Sequence, residues 1–492
     1  MVDHSTKVKI IFGLKIRQLR LQSGFSLADV AKKVDFSVSY LNEIEKGKKY
    51  PKTEKIMALA NAFKIEYDEL VSLKLINDLA PIADILNSSI LTDLPLEMFG
   101  IEPNDFVDLM SKSPSKISAF INTLKEISRT YDIQNGEFFE AVLRSFQEMN
   151  ENYLPDIEEV VENFRKINEL ENTNSISEAF LKEQLFSKYN YSISFFDETL
   201  QPQLTSIDII FKKNNSLIIN SAVSPAGRLF ILAKELGYQK LGLKQRPNTF
   251  PILKIESFEA IFNDFKASYF AGALLINKQI LIGRLTYFLA SPNWDGESFL
   301  AILKMFGTSP NVFINRVTSI LSGHFGLNNL FLLGIQHNAE TNKFNTTNEM
   351  HLRQLHSPHG YARNEHYCRR WLGLNIITAM NDDNNLVICD SQISQFSDSN
   401  KKYFVISIAS KNRFNQKNSD TIGFVIDNNL KNTLNFIKDS KIKNQIVNQT
   451  CERCSIKDCL QRVAEPAVYH KKMEKINLLK AVSEYNIKSS YI

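Results

Sequence analysis

The net charge of this 492-residue chain changes sign twice along its length. Residues 1–75 carry +5, residues 76–172 carry −12 and residues 173–492 carry +11. A basic first block suits a polyanion, an acidic second block would be repelled by one, and the third block suits nucleic acid or a phosphorylated small molecule. The length allows about three domains, each with its own core. The chain is therefore predicted to be multidomain.

The composition is that of an ordinary globular protein. Apolar residues make up 43% and charged residues 23% of the chain, which excludes a disordered or collagen-like protein. The longest apolar stretches, such as 267–276, are far shorter than the roughly 20 residues of a membrane helix, and the first residues have no signal-peptide core. Five cysteines are too few for a disulfide framework in a long chain whose compartment keeps thiols reduced. We expect a cytoplasmic protein.

The three blocks also differ in periodicity. Apolar residues recur at helical spacing through residues 10–75 and 76–172, which predicts an all-α front and a helical middle segment. Beyond about residue 180, strand-like runs alternate with helical ones, which is typical of an α+β arrangement. The predicted strands are 191–196, 207–211, 385–389, 403–409 and 421–426, and the clearest predicted helices are 225–241 and 258–275.

Five short helices are predicted between residues 10 and 75, and two of them carry clear start signals. Ser26 and Asp29 have the spacing of a capping box, and Ser37 can cap the next helix, which Gly47 ends. A helix-turn-helix needs two such helices joined by a tight turn, with one face of the second exposed to the major groove. The basic charge of this block favours that function.

The segment from Ser37 to Gly47 follows the pattern S-x-x-Y-L-x-x-I-E-x-G, and residues 10–73 resemble a Cro/Xre-type, lambda-repressor-like domain. The resemblance implies that double-stranded DNA is a partner and that Leu41 and Ile44 face the core. Val38 stands where this class usually has Gln, so a contact with a thymine methyl replaces the usual adenine contact. A helical domain used only for protein contacts is the alternative. The residues expected to contact bases, sugars or phosphates are Arg17, Ser37, Val38, Ser39, Tyr40, Asn42, Glu43, Lys46, Lys48 and Lys49.

The predicted helix at 225–241 can be compared with the zinc-peptidase pattern H-E-x-x-H, in which two histidines bind zinc and the glutamate activates water. Lys234 and Tyr238 occupy the histidine positions, and only Glu235 is retained. Residues 160–280 resemble the ImmA/IrrE-like peptidase fold, with Asp264 at the third ligand position. The resemblance implies a degenerate zincin-like core without catalysis, whose former cleft became a sensor pocket. The alternative is that Lys234 and Tyr238 are surface residues of the helix.

Three of the five cysteines lie close together near the end of the chain. Cys451, Cys454 and Cys459 have the spacing C-x2-C-x4-C, and Cys368 is the best candidate for a fourth ligand. Cys389 lies in an apolar run and is interpreted as a buried strand residue. Four thiolates can hold zinc or an iron–sulfur cluster, and the spacing does not separate the two. Reduced cysteines without metal are the third possibility.

The order of these parts resembles the short-chain fatty acyl transcriptional regulators. The resemblance implies a regulator that senses acyl-CoA and holds an iron–sulfur cluster, 4Fe-4S in type, on Cys368, Cys451, Cys454 and Cys459, with zinc as the alternative. It divides the chain into a DNA-binding domain (1–75), an acidic helical linker or dimerisation segment (76–172), the degenerate core (173–330) and an α+β sensor domain with the cysteines (331–492).

We therefore expect a non-enzymatic, homodimeric DNA-binding regulator. Binding of the acyl-CoA is expected to shift the spacing of its two helix-turn-helix domains. The candidates for its phosphates are Arg228, Lys234, Arg363, Arg369 and Arg370. One alternative is a metallopeptidase that cleaves a partner repressor, with replacement ligands from His356, His359 and His366. Another is an antitoxin-type DNA-binding protein.

Overall fold

The structure is a computed structural model. It describes residues 4–72, 135–200, 202–212, 215–253, 255, 257–339, 341–352, 365–380, 387–399 and 401–489. The chain forms two compact units, Met1–Val142 with Ile255–Phe258, and Leu143–Lys254 with Glu259–Ile492. The expected boundary at residue 330 falls inside the second unit.

Residues 4–72 of the first unit fold into five helices, as the sequence predicts. Buried Ile16, Val30, Leu41, Ile44 and Leu59 form their common core. The helical spacing of these residues places them on the inner faces of the helices. The five helices are α1 (His4–Gln22), α2 (Leu27–Lys33), α3 (Val38–Glu45), α4 (Thr53–Phe63) and α5 (Tyr67–Val71).

The rest of the described chain mixes helices and strands, which confirms the predicted change of pattern. A four-stranded sheet with the order β1-β3-β2-β4 combines one parallel pair, β1 with β3, with antiparallel neighbours. The elements up to residue 323 are α6 (Asn135–Met149), α7 (Pro155–Ile167), α8 (Glu178–Tyr189), β1 (Ser192–Phe196), β2 (Ile209–Lys212), β3 (Ser216–Asn220), α9 (Pro225–Lys240), β4 (Thr249–Phe250), α10 (Phe258–Leu275), α11 (Lys278–Leu289), α12 (Gly296–Phe306) and α13 (Pro310–Gly323).

A six-stranded sheet follows, with the order β10-β7-β8-β9-β5-β6. Its neighbours are antiparallel except β10 and β7, which are parallel. Its elements are β5 (Leu330–Asn338), β6 (Lys343–His351), α14 (Leu372–Ala379), β7 (Ile388–Phe396), β8 (Lys402–Lys411), β9 (Lys417–Val425), α15 (Asn428–Thr433), β10 (Lys443–Val447) and α16 (Ala467–Ser489).

Both faces of the six-stranded sheet are covered, and its central strand β8 is accordingly buried from Tyr403 to Ala409, with Ser407 as the one polar residue of that run besides the Tyr403 hydroxyl. On β8, Phe404 faces a core shared with Trp294 and Phe313, while Tyr403 and Val405 face α14. Successive side chains of a strand point to opposite faces, and each face therefore needs its own apolar set. The sheet thus separates a large helical core from a smaller one beneath α14.

Among the described residues, no helix is both long enough and apolar enough to span a bilayer.

Candidate functional site

The turn between α2 and α3 is fixed by side-chain caps at both helix starts. Ser26 and Asp29 form a complete capping box, in which Oγ of Ser26 accepts from the amide of Asp29 at 3.1 Å. Oγ of Ser37 accepts from the amide of Tyr40 at 3.1 Å. Each cap satisfies helix amides that have no partner within the helix. These local contacts explain why the sequence predicts the start of both helices.

Helix α3 has one buried face and one exposed face. Leu41 and Ile44 are fully buried, as expected. Ser37, Val38 and Ser39 are exposed at its start, and the side chain of Val38 is 47% exposed. The start of the second helix is where helix-turn-helix proteins contact base edges. The arrangement can therefore present this end of α3 to a groove.

The other expected contact residues of this domain are placed less uniformly. Lys48 and Lys49 are exposed, whereas Arg17, Tyr40, Asn42, Glu43 and Lys46 are half-buried. Lys49 forms an exposed ion pair with Glu43 at 2.8 Å. The ammonium of Lys55 lies 4.1 Å from the ring centroid of Tyr40 and 4.9 Å from that of Phe36. Lys55 on α4 is thus a cation beside α3 that the sequence analysis missed, because it lies outside the recognised pattern.

A buried ion pair ties the end of α3 to α1. Nε and Nη2 of Arg20 donate to the two carboxylate oxygens of Glu45 at 2.7 and 2.8 Å. Both residues are less than 10% exposed, and this pairing raises the pKa of Arg20. Gly13 lets α1 approach the end of α3, since a Cβ there would lie 2.3 Å from the carbonyl oxygen of Ile44. The Arg20 partner of Glu45 could not be found from local spacing because 25 residues separate them.

The two histidine positions of the zinc-peptidase pattern on α9 and the third ligand position on α10 lie next to one another. Nζ of Lys234 lies 2.7 Å from Oδ1 of Asp264, and the Tyr238 hydroxyl donates to the same oxygen at 2.7 Å. Gly237 lets α9 pack closely on α10, because a Cβ there would lie 3.0 Å from the carbonyl oxygen of Ala267. The charge of the Lys234 ammonium is therefore balanced by the Asp264 carboxylate. Burial raises the pKa of Tyr238, which keeps the phenol protonated.

Glu235, the residue that would activate water in a peptidase, is bound on both carboxylate oxygens. Nη2 and Nη1 of Arg246 donate to them at 2.5 and 2.6 Å. The Tyr191 hydroxyl also donates to Glu235, at 3.1 Å. The Arg246 guanidinium carbon lies 3.7 Å from the ring centroid of Phe211 and 4.0 Å from that of Tyr238. Arg246 and Tyr191 were missed by the sequence analysis because neither belongs to the peptidase pattern.

Two expectations about this helix need correction. Lys234 and Tyr238 are only 7% and 2% exposed, so the interpretation of both as surface residues is wrong. Arg228 pairs with Glu178 at 3.1 Å and donates to the carbonyl oxygen of Val223 at 2.7 Å. An effector phosphate would therefore have to compete with existing ion pairs at both Arg228 and Lys234.

The cysteine module is assembled from two segments that lie side by side. The amide of Cys368 donates to the carbonyl oxygen of Gln449 at 3.1 Å, and the amide of Cys451 donates to that of His366 at 2.9 Å. Two side-chain contacts reinforce this backbone pairing. Glu365 accepts from Arg453 at 2.7 Å, and Nδ1 of His366 lies 2.8 Å from Glu452. Glu452 and Arg453, the two residues between Cys451 and Cys454, thus help to hold this loop to the Cys368 segment.

Cys368, Cys451 and Cys454 are buried, and Cys459 is half-buried. Burial raises the pKa of Cys368 to about 11. The sulfur of Cys368 accepts hydrogen bonds from the amides of Asn448 and Arg370, which favour a thiolate.

The donor chemistry of this module fits a thiophilic metal, because its four side chains are thiols and backbone amides point at two of the sulfurs. Within the described residues, which include all five cysteines, no three His, Cys, Asp or Glu side chains are already arranged as a ligand set. Cys389 lies on β7, as expected of a strand residue, but it is half-buried.

Only some of the remaining expected site residues lie in the part of the chain that the structure describes. Arg363, His356 and His359 lie outside the described residues. Arg369 is half-buried, with its guanidinium 4.3 Å from the ring centroid of Phe344. Arg370 is half-buried too, and its Nη1 donates to the carbonyl oxygen of Ile446 at 3.3 Å.

Comparison with known proteins supports the assignment of the N-terminal domain. Residues 16–70 match the helix-turn-helix family model HTH_3. The matched range contains α2, α3 and the buried Arg20–Glu45 pair described above.

The chain is also similar to curated proteins called HTH-type transcriptional regulator RamB, from two strains of Mycobacterium tuberculosis, CDC 1551 / Oshkosh and ATCC 25618 / H37Rv. Each is 23% identical over 255 residues, which is 48% of this chain and 50% of the relative. The chain thus spans about half the length of the curated relatives it matches. A solved structure described as a Mycobacterium tuberculosis transcriptional regulator aligns with a TM-score of 0.46 at 14% identity, over 66% of this chain and 93% of that one.

Proposed function

We propose that this chain is a sequence-specific DNA-binding transcriptional regulator that reads duplex DNA with helix α3. The observation that carries the proposal is the exposed, capped start of α3 within a domain that matches the helix-turn-helix family. Ser39 and Asn42 would contact base edges or sugars, and Lys48 and Lys49 would contact phosphates. The names of the curated relatives support the same function.

Selection of binding sites from random duplex DNA with the full-length chain tests this proposal. We expect an enriched, roughly palindromic site, because a homodimer presents two helix-turn-helix domains about one turn of the DNA double helix apart. The double variant Val38→Ala/Ser39→Ala should bind the selected site about 10-fold to 100-fold more weakly, as measured by fluorescence anisotropy.

The matched control for that variant is Glu54→Ala/Met57→Ala on α4, where both side chains are exposed as well. The control should bind DNA like the unaltered protein. Equal affinity of both double variants, or no enriched site, would overturn the proposal.

The second part of the proposal is that the C-terminal region senses acyl-CoA and is not an enzyme. The buried Lys234–Asp264 pair and the engaged Glu235 support the absence of peptidase activity, since protonated lysine cannot bind zinc and both oxygens of Glu235 already accept from Arg246. The same contacts disfavour the alternative of a metallopeptidase. A thermal-shift panel of acyl-CoA esters tests the sensing. Absence of stabilisation by every ester, in protein that binds its DNA, would contradict it.

The third part is that Cys368, Cys451, Cys454 and Cys459 hold an iron–sulfur cluster, with zinc as the alternative. Such a centre would supply a redox-sensitive or purely structural crosslink between the 365–368 and 449–454 segments. Anaerobically purified protein should contain iron and sulfide and absorb visible light, whereas colourless protein with one zinc would support a structural site. Cys451→Ser should lose the metal in both cases, and Cys389→Ser is the matched control.

A further inference from the structure

A cavity of about 380 Å³ in the second unit is lined by side chains of α7, α10, α11 and α13. This volume suits a small organic molecule. Val161 and Ala273 form the apolar part of its wall, and its other lining residues are polar or charged. A ligand of this cavity therefore needs polar groups of its own, because it must pair with a largely polar wall.

The charges on this wall do not balance. Its four cations outnumber its three carboxylates by one when all of these groups are ionised. A ligand with one negative charge would neutralise the excess, whereas a dianion would leave an excess negative charge beside the carboxylates. The cations are Arg165, Lys166, Lys278 and Arg316, and the carboxylates are Glu158, Glu162 and Glu171.

Arg165 is a buried cation of this wall and has no carboxylate partner in the described part of the chain. It is 4% exposed, and its Nη atoms donate to the carbonyl oxygens of Leu274 at 2.5 Å, Leu170 at 2.7 Å and Thr173 at 2.6 Å. Its Nε is buried without a hydrogen-bond partner. A buried charge is unfavourable unless it is paired, so an anion in this cavity would stabilise the folded protein.

A second buried arginine makes the charge of Arg165 still less favourable. Both Nη atoms of Arg316 donate to the carboxylate of Glu158, which also accepts from the Tyr269 hydroxyl at 2.7 Å. Glu158 is thus engaged by Arg316 and Tyr269. Burial, together with the charge of Arg316, lowers the pKa of Arg165 to about 10.

The start of α11 adds partial positive charge to the same wall. Oδ1 of Asn277 caps this helix by accepting from the amide of Ile280 at 3.1 Å. The amides of Lys278 and Gln279, which line the cavity, lie in the first turn and have no partner within the helix. Such helix starts favour anions.

We propose that this cavity binds a small organic molecule that carries one carboxylate group. The carboxylate neutralises the excess positive charge of Arg165, and the rest of the molecule lies beside Val161 and Ala273. A phosphate dianion fits less well, because it carries twice the charge that the wall can neutralise. This site goes beyond the proposed acyl-CoA sensing and does not depend on it.

Three carboxylates of increasing size and their neutral amides test the proposal: acetate with acetamide, lactate with lactamide and benzoate with benzamide. Each is titrated into the full-length chain at about pH 8, in sodium chloride that keeps the ionic strength constant, by calorimetry and thermal shift. At least one carboxylate should bind saturably and raise the melting temperature, because it binds only the folded state. Its amide and inorganic phosphate should each bind about 10-fold more weakly or less, because neither carries the matching single charge.

Two substitutions at one partly exposed ion pair of the wall change the excess charge in opposite directions. Nζ of Lys278 lies 3.1 Å from Oε1 of Glu162. Lys278→Gln removes the excess and should weaken binding of the carboxylate about threefold, whereas Glu162→Gln doubles it and should strengthen binding by a similar factor. Lys304→Gln and Glu297→Gln alter a matched, exposed ion pair on α12 and should bind like the unaltered protein.

Arg165→Gln should abolish the preference for the carboxylate over its amide. It also removes donors from three carbonyl oxygens and should lower the melting temperature, so the ratio of the two affinities is the readout. If this variant does not fold, the opposite shifts of Lys278→Gln and Glu162→Gln decide the question.

Three results would overturn the proposal. The first is that no carboxylate of the panel binds, and the second is that an amide or phosphate binds as tightly as the best carboxylate. The third is an affinity that Lys278→Gln and Glu162→Gln leave unchanged or shift in the same direction.

Discussion

At the scale of single residues, three buried ion pairs join residues that are distant in the sequence. Lys234 pairs with Asp264, Glu235 with Arg246 and Arg20 with Glu45, and the partners are separated by 11 to 30 residues in the chain. Removing one partner of such a pair leaves an uncompensated buried charge, which typically costs about 3–5 kcal/mol. The sequence identified Lys234 and Asp264 by their positions in a motif, but it did not reveal that they bind each other.

Asp420 on β9 has no cationic partner among its described contacts, and this predicts a pH-dependent stability. Its carboxylate accepts from the Asn311 amide at 2.8 Å, and burial raises its pKa from 3.8 to about 6. An acid with a raised pKa binds its proton more tightly in the folded state. Its contribution to stability is therefore complete below about pH 4 and is lost as the pH rises through about 6.

Asp420→Asn should accordingly raise the free energy of unfolding at pH 8 by up to about 3 kcal/mol and change it little at pH 4. Urea denaturation at both pH values measures the difference. Asp156→Asn, at an exposed position on α7, is the control and should show no such pH dependence. A destabilised Asp420→Asn at pH 8 would contradict the buried, uncompensated carboxylate.

At the scale of elements, the helices with strong local signals were predicted best. The predicted helices at 225–241 and 258–275 correspond to α9 (Pro225–Lys240) and α10 (Phe258–Leu275). Ser224 caps α9 and Pro225 follows at its first position, so the start of α9 depends only on neighbouring residues. Local chemistry of this kind is fully present in the sequence.

Strands were predicted less well because their partners are distant. Thr421–Ile426 was predicted as a strand and overlaps β9 (Lys417–Val425), whereas β3, β4, β5, β6 and β10 were missed. β10 pairs with β7 in parallel, across a connection that no short turn signal marks. Pairing over such distances is a property of the tertiary structure.

The contact of α9 with α10 at Asp264 predicts that a zinc site can be introduced there. The double variant Lys234→His/Tyr238→His would place two imidazoles beside the Asp264 carboxylate, which both native side chains contact at 2.7 Å. We expect it to bind one zinc ion per chain and to gain thermal stability with the metal. Metal analysis and melting curves with and without a chelator measure both effects.

We expect no peptidase activity from that variant, because Arg246 donates to both oxygens of Glu235. Adding Asp264→Asn to the double variant provides the control, and it should weaken zinc binding by at least 10-fold. Retained zinc affinity in the triple variant would show that Asp264 is not part of the site.

At the scale of the whole molecule, an arginine joins the two sheets of the second unit. Arg413, in the turn between β8 and β9, lies 2.9 Å from the Asp208 carboxylate and donates to the carbonyl oxygen of Thr205 and to Glu198. The pKa of the Glu198 carboxyl is lowered mainly by a hydrogen bond from Asn220, and the ion pair with Arg413 lowers it further. Arg413 therefore links the segment before β2 to the six-stranded sheet through several acceptors, in addition to the hydrophobic core that both sheets share.

Arg413→Ala should loosen this attachment without unfolding either sheet. Hydrogen exchange measured by mass spectrometry should increase in the 197–208 segment, while exchange in β8 and β9 stays within error of the unaltered protein. Lys431→Ala, on α15, is a control that removes an exposed cation elsewhere in the unit. Unchanged exchange in the 197–208 segment would mean that other contacts hold the sheets together.

The sequence by itself determined the features that depend on near neighbours: the capped helices of the N-terminal domain, the exposed start of α3, the substituted ligand positions on α9 and the spacing of the cysteines. Only the tertiary structure decided which charges neutralise one another, and it placed Arg246 on Glu235, Lys55 beside Tyr40 and Arg165 in a cavity wall. The physical reason is range: capping and periodicity act within about one helical turn, whereas burial and ion pairing depend on residues that only the folded chain brings together.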